Sequence, residues 1–475
     1  VKIRRLFLAI SLMATLVVAG SSGVEAGPGQ MGAWSAPKNL GIVGVHGAML
    51  HTGKLLLYSG TEGEAAGSVA RLYDPGTGKI QRVSIPYEHP AFCSGVTVMP
   101  DGRVMVMGGQ LDLQIGHGVK DVSIFDPGSE RWSKGPPMKY ARYYPSAVQL
   151  ADGRTLVVAG TDEDGAKEVP QLEVFDPGTG SWTTLPSTAN QTSPTYPRLA
   201  LLPDGKVLRA GELQMSRAFD LSTNTWTSVA PMKYGNRYTG AAVLLPGLKK
   251  VLFAGGTKSL TATNTAEVID LSVPSPAWKY TGAMTKARAN LNLVLLADGT
   301  VLAVGGGLNP AYGTPAKAAE LYDPATGTWK TMAAQQAQRT YHSTAFLLPD
   351  GRVLSAGSDF GTKAETYEIF SPPYLFKGAR PTISSAPASV TYGQSFTIAT
   401  PDAGDINRVA LVRPGATTHA DDFDQRYVDL SFSPGSGFVQ ATAPSWGAHA
   451  PPGYYMLFVV NSSGVPSVAA FVHVA

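Results

Sequence analysis

The 475-residue chain contains 53 glycines, 35 prolines and only 15% charged residues, a balance that suits many short strands joined by tight turns and gives room for two or more domains. Its net charge is +3, of which Lys2, Arg4, Arg5 and Glu25 near the start supply +2, leaving about +1 for the rest. No lysine and arginine cluster stands ready to neutralise phosphates, which argues against a nucleic-acid partner, and the single cysteine, Cys93, excludes an internal disulfide.

The chain opens with basic VKIRR, then LFLAISLMATLVVAG, an apolar run of 15, then SSGVEA with small Val24 and Ala26. This reads as a secretory signal peptide over residues 1–26, since the run is shorter than the roughly 18–20 apolar residues that span a bilayer. The product is expected to be secreted or extracellular; an uncleaved leader holding it at the cell surface is the alternative. In an exported chain the lone Cys93 is an intermolecular partner, an inert buried thiol, or a side chain consumed by other chemistry.

From there a turn recurs: HTGKLLLYSG, PDGRVMVMGG, ADGRTLVVAG, PDGKVLRAGE, LPGLKKVLFAGG, ADGTVLAVGGG and PDGRVLSAGS. The turn glycines are Gly53, Gly102, Gly153, Gly205, Gly247, Gly299 and Gly351, about 50 residues apart, the period of kelch-type propeller blades. A second segment keeps the same beat (LYDPGTGK, IFDPGSERW, VFDPGTGSW, AFDLSTNTW, VIDLSVPSPAW, LYDPATGTW) and brings Trp132, Trp182, Trp226, Trp278 and Trp329 to one phase. An aromatic repeated once per unit packs blade against blade. The expected fold is all-β: a seven-bladed kelch-type β-propeller over residues 34–377, with Trp34 starting the strand that closes the ring. From 378 to 475 the DG turn disappears and alternating strands predict a C-terminal immunoglobulin-like β-sandwich.

Superimposing the repeats places Gly44, Cys93, Tyr144, Tyr196, Asn290 and His342 nine residues before their turn glycines; the fifth unit, near Tyr238, is irregular. These side chains head the apolar strands and are expected to face the ring axis near one mouth, so that Cys93, Tyr144 and the Tyr341–His342 pair converge. Ordinary strand residues sharing a phase are the plain alternative. A thiol, phenols and an imidazole at one pore suit a copper ion. One histidine is thin for such a site, and among the others (His46, His51, His89, His117, His419, His449, His473) His419, in the loop-like GATTHADDFDQR, is best placed if the sandwich caps the ring.

FCSG with Cys93, ARYYPSA with Tyr144, RTYHSTAFLLPDGRV with Tyr341 and His342, and TTHADDFDQR with His419 resemble the radical-copper oxidases, galactose oxidase and glyoxal oxidase, over nearly the whole chain from about residue 35. The resemblance implies a Cys93–Tyr144 thioether cross-link serving as a protein-derived radical cofactor, and one copper ion held by Tyr144, Tyr341, His342 and His419. It makes Cys93, Tyr144 and Tyr341 catalytic, with Tyr341 the general base. It further implies oxidation of small aldehydes or primary alcohols by O2 with release of hydrogen peroxide. TYPRLALLPDG around Tyr196 is more like glyoxal oxidase, and Tyr196 and Asn290 are candidate pocket residues. The place of galactose oxidase's stacking tryptophan falls at Asp162. A glycan is a further possible substrate, a monomer is expected, and the rival reading is a secreted kelch protein that binds carbohydrate or serves structure without catalysis.

Overall fold

The computed structural model describes residues 26–60, 68–111, 116–308, 314–359 and 363–475; all but the last residue of the expected leader lie outside them. Seven antiparallel sheets of four or more strands follow one another along the chain. Each starts from a buried or largely buried strand: His46–Met49, Gly95–Val98, Ser146–Gln149, Arg198–Leu201, Ala241–Leu244, Ala289–Leu295 and Ser343–Leu347. Every one of these strands adjoins the next, and the last adjoins the first. The sheets therefore form a closed cycle, a ring.

The repeated turns explain why each unit folds alike. In the DG turns the aspartate Oδ1 accepts the backbone N–H two residues on, at 3.0 Å in Asp101 to Arg103 and 3.1 Å in Asp298 to Thr300. The turn glycine takes φ from +79° to +87° in all seven units, including Gly53 and Gly247, whose turns lack the aspartate, a region that costs a residue with a Cβ dearly. The DP turns join the two outer strands by the same device: Asp126 and Asp176 each accept from a glycine N–H at 2.8 Å.

The tryptophans stitch neighbouring blades. Trp182 and Trp226 donate their indole N–H to Pro136 O and Ala189 O of the preceding unit at 2.9 Å, and Trp278 donates to Ser216 Oγ at 2.7 Å. Trp34 does the same to Ala333 O at 2.9 Å and pairs with Phe370, so the first strand completes the last sheet. A signal that periodicity did not expose lies beside the strand heads. Arg142, Arg237, Arg288 and Arg339 form fully buried ion pairs with Glu173, Glu267, Glu320 and Glu368, and each guanidinium also holds backbone carbonyls, as Arg339 holds Gly357 O and Thr366 O at 2.9 and 2.8 Å.

Beyond the ring, two sheets pack face to face over a core of Ile398, Val409, Leu411, Val439, Tyr455, Leu457 and Val472, the layered sandwich expected of alternating strands. This unit is seated on the ring by buried polar contacts: Arg413 to Val98 O (3.0 Å), Arg426 to Leu201 O (3.0 Å), Tyr427 to Ala297 O (3.1 Å) and Gln425 to Leu293 O (2.8 Å). It also lends the ring a hairpin. Strands Ala416–Thr418 and Asp421–Asp422 join the first blade through the pairing of His46 with Thr418, making that sheet six-stranded.

Candidate active site

The residues that share a phase also share a strained backbone. Cys93, Tyr144, Tyr196, Asn290 and His342 have φ of 60°, 62°, 48°, 56° and 62°, and the irregular fifth unit supplies Thr239 at 57° rather than its neighbour Tyr238. Left-handed non-glycine residues are uncommon and cluster where surrounding structure holds a side chain in a required direction. Here each heads an innermost strand at one end of the ring.

Into the centre comes the hairpin from the sandwich. His419 (φ 48°) and Ala420 (φ 66°) form its two-residue turn, the conformation that closes a tight β-hairpin. Asp422 braces the base, accepting from Ala416, Asp424 and Gln425 N–H at 3.0, 3.1 and 2.9 Å. The His419 ring thereby stands 4.5 Å from that of His342, 4.8 Å from Tyr144 and 5.3 Å from Tyr341. The Tyr144 and Tyr341 hydroxyls are hydrogen-bonded to each other. Cys93 Sγ is 3.6 Å from His419 Nε2, and the Tyr143 and Tyr144 hydroxyls interact with the thiol. All five side chains expected to converge therefore do so, although they span residues 93 to 419.

Hydrogen bonding fixes the imidazoles. Thr418 Oγ1 donates to Val45 O at 3.1 Å, so at 2.6 Å it accepts from His419 Nδ1. Asp359 takes His342 Nδ1 at 2.7 Å through both carboxylate oxygens. Both Nε2 lone pairs are left facing inward, and His342 Nε2 is buried with no hydrogen-bond partner among the described residues. The ligand atoms of Cys93, His342 and His419 lie within 4.8 Å of one another. Two imidazole nitrogens and two phenol oxygens at one point form a donor set that fits a transition-metal ion, with each histidine held from behind as metal ligands are.

Electrostatics agrees. Burial pushes the Cys93 thiol and the Tyr144 and Tyr341 phenols up, and holds His419 well below the usual imidazole range, aided by His342. Left alone the centre is a cluster of neutral donors; a cation among them reverses that logic and favours phenolate.

Two family models divide the chain between them: glyoxal oxidase N-terminus matches residues 62–374, and galactose oxidase-like early set domain matches residues 380–474. The chain belongs to the galactose oxidase and glyoxal oxidase family. It is 31% identical over 490 residues to galactose oxidase of Gibberella zeae, covering 94% of this chain and 71% of that one. With aldehyde oxidase GLOX of Vitis pseudoreticulata it shares 30% over 458 residues, 84% of each chain. Among solved structures, a fungal alcohol oxidase of the AA5 family in complex with copper superimposes with a TM-score of 0.84 at 27% identity, covering 94% of this chain and 100% of that one.

Within this member of the oxidase family the surroundings of Tyr144 are distinctive. Asp162 does not approach the ring; its carboxylate accepts the Ala166 and Lys167 N–H at 3.1 and 3.3 Å. The face of Tyr144 is instead covered by Tyr143, stacked at 4.0 Å and 18°. Tyr196 lies on Tyr144 at 4.5 Å with its hydroxyl given to Ser94 O at 2.8 Å, and Asn290, 4% exposed, bonds Thr239 O through its amide N–H at 2.8 Å. Sequence reasoning did not find Tyr143, Asp359 or Thr418. The first and last sit beside identified residues, a proximity that marks them only once the backbone direction is known.

Proposed function

We propose that this chain is a copper-radical oxidase that takes small aldehydes, as their hydrates, or primary alcohols to the next oxidation level and passes the electrons to O2 as hydrogen peroxide. The convergence of Cys93, Tyr144, Tyr341, His342 and His419 carries this reading, because none of the five is needed by the blade turns or by the tryptophan stitching. Tyr144, Tyr341, His342 and His419 would hold one copper ion, which when bound supplies a one-electron couple and a Lewis-acidic seat for substrate oxygen.

Substrate oxidation removes two electrons, so the protein must provide the second redox group. A thioether from Cys93 to the carbon beside the Tyr144 hydroxyl enriches that ring in electron density and lowers the cost of withdrawing an electron from it. Tyr341, whose hydroxyl is hydrogen-bonded to that of Tyr144, is the group placed to take the substrate's hydroxyl proton. Tyr143, stacked on Tyr144, shields the ring from water. Relatives named galactose oxidase and aldehyde oxidase support both alcohol and aldehyde substrates; the local likeness around Tyr196 favours small aldehydes, ahead of a sugar or glycan.

On the same reading residues 1–26 are a leader and the enzyme works as a monomer outside the cytoplasm, with residues 34–377 as propeller and 378–475 as sandwich. The deciding experiment is the intact mass of protein exposed to copper and air. Loss of two hydrogens, with Cys93 refractory to alkylation after denaturation, is expected, together with peroxide formation on a panel of aldehydes and alcohols. An alkylatable Cys93 and no peroxide from any substrate would leave only a binding or structural role.

A further inference from the structure

The phase-equivalent residues are linked around the axis by their own backbones. Tyr144 N–H donates to Cys93 O at 3.1 Å, Tyr196 N–H to Tyr144 O at 3.0 Å, and Asn290 N–H to Thr239 O at 2.8 Å. Tyr144, Tyr196 and Asn290 thus each anchor a backbone amide on the carbonyl of the equivalent residue one blade earlier. Cys93 is anchored differently. Its blade follows the first, where Gly44 holds the phase without a left-handed φ and where the Gly44 carbonyl accepts from Thr344 Oγ1 at 2.9 Å instead.

The gap is closed by a side chain. His46 Nε2 accepts the Cys93 N–H at 3.0 Å, in a fully buried contact. An accepting Nε2 puts the imidazole proton on Nδ1, which has no partner among the described residues. The ring lies flat on Tyr58, 4.6 Å away at 7°, and Tyr58 hydroxyl meets Ser94 Oγ at 3.0 Å. The His46 backbone pairs with Thr418, the residue before His419. One imidazole therefore touches the strand that receives the sandwich hairpin and the peptide that aims Cys93.

We propose that His46 is a positioning residue for the Cys93–Tyr144 bond, acting through the Cys93 amide. Without an acceptor, a buried N–H on a strained φ loses what holds it, and the peptide relaxes toward ordinary backbone that turns Sγ away from the Tyr144 ring. This rests on the copper-radical reading, in which the bond forms at all. Closing it removes one hydrogen from Cys93 Sγ and one from the ring carbon beside the Tyr144 hydroxyl. The two electrons and two protons go to O2, giving hydrogen peroxide, as the carbon–sulfur bond forms.

The test compares wild type with His46→Phe, which keeps a ring on Tyr58 but cannot accept, His46→Ala, and His46→Gln, which restores an acceptor; the two acceptor-less variants guard against a folding failure of either. Two readouts are followed: hydrogen exchange at the Cys93 peptide in metal-free protein, and the time course of the two-hydrogen mass loss after copper and air are added. We expect exchange to speed up and cross-linking to slow by about tenfold or more in His46→Phe or His46→Ala, with His46→Gln close to wild type. Cross-linking at the wild-type rate in the acceptor-less variants overturns the proposal alone. A wild-type protein that never cross-links overturns the functional reading, and the role assigned to His46 falls with it.

Discussion

Asp359→Ala isolates the support behind His342, one of the proposed copper ligands. The carboxylate takes the His342 Nδ1–H at 2.7 Å with both oxygens. Its side chain is 26% exposed while that of His342 is only 6% exposed. Removing it leaves the imidazole free to rotate and to carry its proton on Nε2, the atom that must offer a lone pair. Losing such an outer partner costs about 10–100-fold in metal affinity, equivalent to about 1.4–2.7 kcal/mol. Because solvent reaches the vacated site, the metal-free protein should melt within a few degrees of wild type. Copper affinity measured by competition with a chelator should fall by that factor, and Asp359→Asn, whose amide oxygen still accepts, should fall less. An affinity within about twofold of wild type in Asp359→Ala would refute the argument that Asp359 sets the His342 tautomer.

Three further outcomes follow from packing and charge. Arg288→Met strands the Glu320 carboxylate, paired at 2.8 Å with no exposure on either side, and should cost about 3–5 kcal/mol in urea unfolding; adding Glu320→Leu should return much of that loss. Trp278→Ala empties a wholly buried site and frees Ser216 Oγ, which should cost about 3–5 kcal/mol in the same assay. Burial pushes Glu212 up from 4.5 to about 7, with the Arg198 guanidinium pulling the other way. The folded state then holds this proton more tightly than the unfolded chain, so the stabilising contribution is full below pH about 4.5 and is lost as pH rises through about 7. Metal-free wild type should therefore lose stability relative to Glu212→Gln across that window, and parallel urea curves at both ends would contradict the assignment.

The ring was legible because its instructions are local. Asp101, Gly102 and Arg103 settle their own turn by one short hydrogen bond and one positive φ, and a repeated local solution shows as a period. Position in the repeat then located Cys93, Tyr144 and His342, since the left-handed backbone that aims them recurs at a fixed distance from the turn. It failed at the fifth unit, where the altered turn around Gly247 shifts the equivalent place to Thr239. The Arg–Glu pairs were also within reach, for Arg142, Arg237 and Arg288 each stand two residues before the left-handed position. His46 and Asp359 were not legible. Their value comes from partners 47 and 17 residues away, through contacts that depend on how strands come to lie together, between blades for His46 and within one for Asp359, and that leave no spacing rule behind. His419 was reached through its place in a loop of the sandwich and then through the resemblance around it, not through any period, because its hairpin belongs to a different unit from the ring it enters.

That borrowed hairpin makes the order of synthesis part of the chemistry. A polypeptide emerging from the ribosome completes every blade before residue 419 is available, so a finished ring still lacks one imidazole of its donor set. With the proposed ligands, metal capture would wait until the late-made unit has folded and docked, and a molecule trimmed between the two units would keep its tyrosines and cysteine yet be unable to oxidise anything with them.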